Sequence, residues 1–296
     1  MAGETGTHYF QRNLVHHGGF LDEVVFLQRT SDQEDIDWLH TTVSKTPGYS
    51  IANYTEDRVS NYAHSWDLCE PGTMYIKIDD DIVFIEDTTI PAIVDTKLKN
   101  PNSLLVSANA LNQPALAWIH HHLGVVKPYL PELTPIPGPN PKPKYDWRAS
   151  DLPDWQGPQS YTVPDDFKPP FPSHRWLPAR HLNNTDGTPI TTADYTPDGP
   201  GWYRWTVAAQ QHYSFFEHLE KGELWRYRFT VWDYHYDRLS TTFMCIWGDD
   251  VVAIRDDMSG DDEGYMTIEA PKRLRRRMPS LIYSSSSSSF KNIALF

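Results

Sequence analysis

Three adjacent aspartates stand between two apolar runs in Met74 to Asp87, MYIKIDDDIVFIED. Met74, Ile76 and Ile78 alternate with Tyr75 and Lys77, the period-two pattern of a strand, and lead directly into Asp79, Asp80 and Asp81. A second apolar run, Ile82 to Ile85, follows at once and reads as another buried strand. Three carboxylates placed there repel one another, and burial raises their cost further. A bound divalent cation resolves both problems, because hard oxygen ligands suit Mg²⁺, Mn²⁺ or Ca²⁺. On extended backbone Asp79 and Asp81 point one way and Asp80 the other, which makes Asp79 and Asp81 the metal-binding pair. The plainer alternative is a polar turn in which one Asp caps the next element. Aspartates at the carboxyl end of a buried strand favour the metal, because open α/β sheets place their ligands there.

The flanking sequence predicts helices and strands in alternation. Gly6 to His17 reads as a short helix stopped by Gly18-Gly19, and Val24 to Leu27 as a strand. Ser31 opens a capping box with Glu34, ahead of a helical stripe at Ile36, Leu39 and Val43. Tyr49 to Tyr54 is a strand and Arg58 to Cys69 a helix with Val59, Tyr62, Ala63 and Trp66 on one face. Pro91 to Lys99 (helix), Leu104 to Ser107 (strand) and Pro114 to Leu123 (helix) continue the rhythm of a parallel α/β sheet. His120-His121-His122 cannot converge on one ion, since consecutive helical side chains diverge.

Pro128 to Pro200 carries most of the chain's 24 prolines and no sustained periodicity. Its aromatics, Tyr145, Trp147, Trp155, Tyr161 and Trp176, argue for an ordered insertion, either over the catalytic face or along the sheet edge. Beyond it, Thr206 to Lys221 is a helix with Ala208, Phe215, Phe216 and Leu219 apolar, and Leu224 to Leu239 is also read as helix. Thr241 to Gly248 is a strand ending in Asp249-Asp250, a second place where carboxylates follow a buried strand. Asp256 to Glu263 reads as a solvated acidic loop. Residues 271–296, basic and then Ser-rich, read as a disordered tail after a single domain spanning 1–270.

The strand with its aspartates resembles the DxD motif of nucleotide-sugar glycosyltransferases of the GT-A fold. The longer block RVSNYAHSWDLCEPGTMYIKIDDDIVFIED resembles a group of fungal GT-A-like proteins, over about Tyr9 to Leu274. That resemblance implies an α/β fold with a mixed, mostly parallel sheet flanked by helices. It implies transfer of a sugar from a nucleotide-diphosphate sugar donor to an acceptor hydroxyl. Asp79 and Asp81 would hold Mn²⁺ or Mg²⁺ against the diphosphate, with Asp80, Arg58 and Asn61 as further donor contacts. Trp247-Gly248-Asp249-Asp250 resembles a Trp-Gly-x-Glu/Asp motif, which would make Asp249 or Asp250 the catalytic base and Trp247 an acceptor platform. Relatives also begin with a strand before the first helix and end with a metal-binding histidine. Here no strand-like run precedes Val24 and the last histidine is His235, which leads us to expect weak or absent turnover.

A formal net charge of −13 argues against nucleic-acid binding, whereas a metal-bound anion remains compatible. No segment approaches a membrane span and the start lacks a signal peptide's apolar core, which implies a soluble, cytoplasmic chain, or a Golgi-lumen one given a longer N-terminus. Cys69 and Cys245 read as buried thiols. Two other functions remain open: a non-catalytic sugar- or partner-binding protein that keeps the fold, and metal-dependent phosphoryl transfer.

Overall fold

The computed structural model describes residues 2–53, 62–111, 113–135, 147–182, 185–195, 204–258, 260–276, 279–280 and 293–295. The chain forms two compact units, one built from 1–109 and 229–296 and the other from 110–228. The intervening unit is therefore wider than the proline-rich stretch that marks it in the sequence.

In the first unit, helix α1 (Ala2–Arg12) precedes β1 (Glu23–Gln28), α2 (Gln33–Lys45) and β2 (Tyr49–Asn53). The residue that caps α2 is Asp32 rather than Ser31. Its carboxylate accepts from the Glu34 and Asp35 amides, so the carboxylate one position on displaces the serine box. A 3₁₀ segment, Tyr62–Leu68, leads to β3 (Met74–Ile78), then α3 (Thr89–Lys99) and β4 (Leu105–Ser107). After the second unit come β7 (Trp232–Asp233), β8 (Phe243–Trp247) and α6 (Gly248–Ile254). A helical run over 262–274 follows, with a π-turn at Tyr265–Glu269, and then β9 (Pro279–Ser280) and β10 (Ile293–Leu295).

These strands form one mixed sheet in the order β2-β1-β10-β3-β8-β4-β9-β7. β2, β1, β10 and β3 run parallel, and β8 lies antiparallel between β3 and β4. The unit is thus mixed α/β, with four parallel and three antiparallel pairings among the described strands of this sheet. Its core joins Val24, Met74, Ile76, Val106 and Cys245 from the sheet with Leu14 from the segment after α1 and Ile90 and Ile93 from α3. Both cysteines are buried free thiols.

Three local expectations are corrected. Ile82 to Ile85 does not pair as a strand, although Ile85 is buried. Leu224 to Leu239 is not a helix: it holds a short 3₁₀ turn (Leu224–Tyr227) and then β7, with His235 and Tyr236 at positive φ breaking any helical path. Residues 271–296 are not a featureless tail, because Ala270–Leu274 is helical and two segments pair into the sheet.

The second unit contains α4 (Pro114–His122), β5 (Tyr129–Pro131), β6 (Trp176–Pro178) and α5 (Trp205–Glu220). β5 and β6 pair antiparallel over a core of Tyr129, Leu130, Leu152, Trp155, Phe167, Trp176 and Leu177. Trp155 and Trp176 are core residues and Trp147 stacks on Tyr213 at 5.1 Å, whereas Tyr145 lies outside the described residues. The α4 histidines diverge: His120 is buried, while exposed His122 turns back to the Trp118 carbonyl.

Candidate functional site at the carboxyl edge of the sheet

β3 ends at Ile78, and the aspartates form the turn that follows it. The Asp79 amide donates to the Thr242 carbonyl at 2.8 Å, the last tie to the β8 side of the sheet, and the Ile82 amide donates back to the Asp79 carbonyl. Strand alternation therefore stops short of Asp80 and Asp81, which lie exposed in the turn. Asp79 is half-buried and its carboxylate meets the Lys77 ammonium at 2.5 Å. Burial pushes the Asp79 carboxyl upward, the Lys77 charge opposes that, and the charges of Asp81 and Asp262 push it further up. The charges of Asp79 and Asp81 thus act on one another through a turn, not along the extended strand that was expected.

Asp262 was not legible as part of this edge, because 256–263 reads as solvated acidic sequence. Arg238 fixes that segment by pairing with Asp261 and with Glu263, and Glu263 accepts from the Thr241 amide. Asp262 then accepts from the indole N–H of fully buried Trp66 at 3.1 Å. A neighbouring helical residue, Ser65, accepts from Arg29, which follows β1 and lies 4.2 Å over the Tyr62 ring. Arg29–Ser65 and Trp66–Asp262, carried on neighbouring residues, tie the carboxyl end of β1 to Asp262, whose charge acts on Asp79. Arg58 and Asn61 lie outside the described residues.

The residues fit a hard cation in chemistry but do not form a cage. Among the described residues no three His, Cys, Asp or Glu side chains gather as a metal-binding group. Two carboxylates with a diphosphate and water is the usual arrangement for Mg²⁺, which rarely takes an all-protein shell.

The second acidic motif is at the other end of the strand. β8 is antiparallel to β3, with Trp247 opposite Met74 and Phe243 opposite Ile78. Asp249 and Asp250 consequently lie a strand length from Asp79, roughly 15–20 Å at the usual rise per residue. No carboxylate there reaches a hydroxyl held at Asp81, and the catalytic-base role is corrected. Each member of the motif has a packing role instead. Trp247 packs on the core, and the Gly248 amide donates to the Thr73 carbonyl. Asp249 accepts from the Gly72 amide at 2.8 Å, and Asp250 pairs with Arg276 at 2.8 Å and Lys97 at 3.6 Å. A Cβ on Gly248 would fall inside the contact radius of the Glu70 carbonyl oxygen and press on the Tyr75 ring. Gly248→Ala should therefore cost about 1–3 kcal/mol, read as a lower urea midpoint, with no change in diphosphate binding at the opposite edge.

No helix among the described residues is long and apolar enough to cross a membrane. No family model, curated protein or solved structure matches the chain.

Proposed function

We propose that the chain binds a nucleotide-diphosphate sugar at the carboxyl edge of its sheet and transfers the sugar to an acceptor hydroxyl, as a GT-A-type glycosyltransferase. The observation that supports this reading most is the Asp79–Asp81 turn, set where a block of parallel strands meets antiparallel β8. Asp79 and Asp81 would hold Mn²⁺ or Mg²⁺, and the cation would offset the charge on the departing diphosphate. Lys77, paired with Asp79, keeps a positive charge beside the place a diphosphate would occupy. Asp262, oriented by Trp66, is the carboxylate at this edge able to accept the hydroxyl proton.

The expected result is that Asp81→Asn weakens Mn²⁺-dependent UDP binding at least about tenfold, a loss of about 1.4 kcal/mol, while far-UV circular dichroism is unchanged. Calorimetry showing equal UDP affinity in wild type, Asp79→Asn and Asp81→Asn removes the reading. One observation favours a second function, a non-catalytic protein that keeps the fold: the Lys77 ammonium already satisfies Asp79. Metal-independent binding of a sugar or nucleotide, unaffected by Asp81→Asn, distinguishes it.

A further inference from the structure

We propose that the gap between β1 and β3 is a strand-binding site, and that the segment Ile293–Leu295 is its ligand, exchangeable for the same sequence supplied as a separate peptide. β10 pairs parallel on both sides. Glu23 and Val24 of β1 face Ala294 and Leu295, and Met74, Tyr75 and Ile76 of β3 face Ile293, Ala294 and Leu295. Both flanking strands are held in the sheet without it. β1 pairs with β2 from Val24–Tyr49 to Gln28–Asn53, and β3 pairs with β8 from Met74–Trp247 to Ile78–Phe243. The sheet therefore consists of two halves, each with its own partner strand, and one short inserted strand joins them.

The chemistry of the gap is that of strand addition. With β10 lifted out, β1 and β3 each turn a row of backbone donors and acceptors toward a space two strand spacings across, about 9–10 Å. Unpaired backbone in a sheet interior demands a partner, and an extended segment satisfies both rows at once. Of the flanking residues, Val24, Met74, Tyr75 and Ile76 are buried and Glu23 is exposed, which favours an apolar segment. The fitting partner is a short, uncharged, extended segment running parallel to both walls, as Ile-Ala-Leu does. Three residues make few ladder bonds, and such short elements open at the low end of a protein's local stabilities. That is what permits exchange.

The test uses the full chain carrying Ala294→Pro, which lacks the amide donor at the centre of the inserted strand. The probe is a fluorescein-labelled peptide of residues 291–296, KNIALF, read by anisotropy. Saturable micromolar binding to the variant is expected. Binding to wild type should be at least tenfold weaker, because its tethered segment competes at an effective concentration on the order of millimolar. A peptide with proline at the alanine position should not bind the variant. A folded variant that takes up neither peptide, or one whose Glu23–Gln28 and Met74–Ile78 amides exchange as in wild type, overturns the proposal. Should the variant not fold, refolding with each peptide decides: recovery only with KNIALF supports the site, and equal outcomes overturn it.

Discussion

Lys97→Met should lower the stability of the sheet unit by about 3–5 kcal/mol, the largest loss expected from any single surface-neutral change here. Lys97 is completely buried on α3, and its ammonium donates to the Ser103 and Leu104 carbonyls while facing Asp250. Burial lowers its pKa, and the Asp250 charge opposes that shift. Methionine fills the same space but strands two buried carbonyls and leaves Asp250 with only Arg276. The cost is thus mainly that of unpaired partners rather than of lost volume. Adding Asp250→Asn should restore part of the loss, since the two side chains share one network. Urea midpoints at constant m-value measure both effects, and a loss below about 1 kcal/mol would show that the ammonium is dispensable. UDP affinity should stay at its wild-type value in both variants, which separates this knot from the diphosphate edge.

How much of this was readable in the sequence depends on how local each signal was. β1, β3 and β8 form where strands were expected, and α2, α3 and α4 match their expected spans to within a few residues. At Asp79–Asp81 the end of the strand was readable, but the extended backbone expected to point Asp79 and Asp81 the same way gives way to the turn, the plainer alternative. What failed was every inference that needed sheet order. Asp249 and Asp250 follow a buried strand just as Asp79 does, but β8 runs antiparallel to β3, which puts the two acidic ends at opposite edges. Nothing in TTFMCIWGDD encodes that direction. Asp262 was hidden for the complementary reason: its partner Trp66 is distant in sequence, so the segment looked solvated until Arg238 and Trp66 were brought to it. An interior position between β1 and β3 is occupied by residues 293–295, which composition alone marked as tail.

α5 shows the same limit in one helix. Its apolar residues Phe215, Phe216 and Leu219 suggested the buried face, yet Phe216 is 42% exposed and the buried stripe is Gln210, Ser214, Glu217 and His218. These side chains bond to the backbone of the segment leading into β5. The Gln210 amide donates to the Tyr129 carbonyl at 2.9 Å, Ser214 accepts from the Lys127 amide at 2.9 Å, and His218 meets the Val125 carbonyl at 3.0 Å. A hydrophobic period cannot find a face that is buried by hydrogen bonding.

Glu217 is the charged member of that stripe, and it predicts acid sensitivity confined to the 110–228 unit. It is 1% exposed and receives the Tyr129 hydroxyl at 2.9 Å, Lys127 at 2.9 Å and Lys221 at 2.5 Å. Burial alone would raise its pKa, but the bonds from Lys221, Lys127 and Tyr129 outweigh burial and hold it at about 2, against an ordinary 4.5. A folded pKa below the unfolded one means that the contribution is complete above pH 4.5 and is lost as pH falls toward 2. The size of that contribution is about 3 kcal/mol. Glu217→Gln should therefore cost about 3 kcal/mol at pH 7, because Lys127, Lys221 and Arg180 then converge on a neutral amide. The gap between wild type and variant should close as pH is lowered through the window from 4.5 to 2. Hydrogen exchange of the Tyr129, Leu130 and Trp205–Glu220 amides at pH 7, 4.5 and about 3 reads this unit alone. A gap that stays constant with pH would mean that Glu217 stabilises by shape, not by charge.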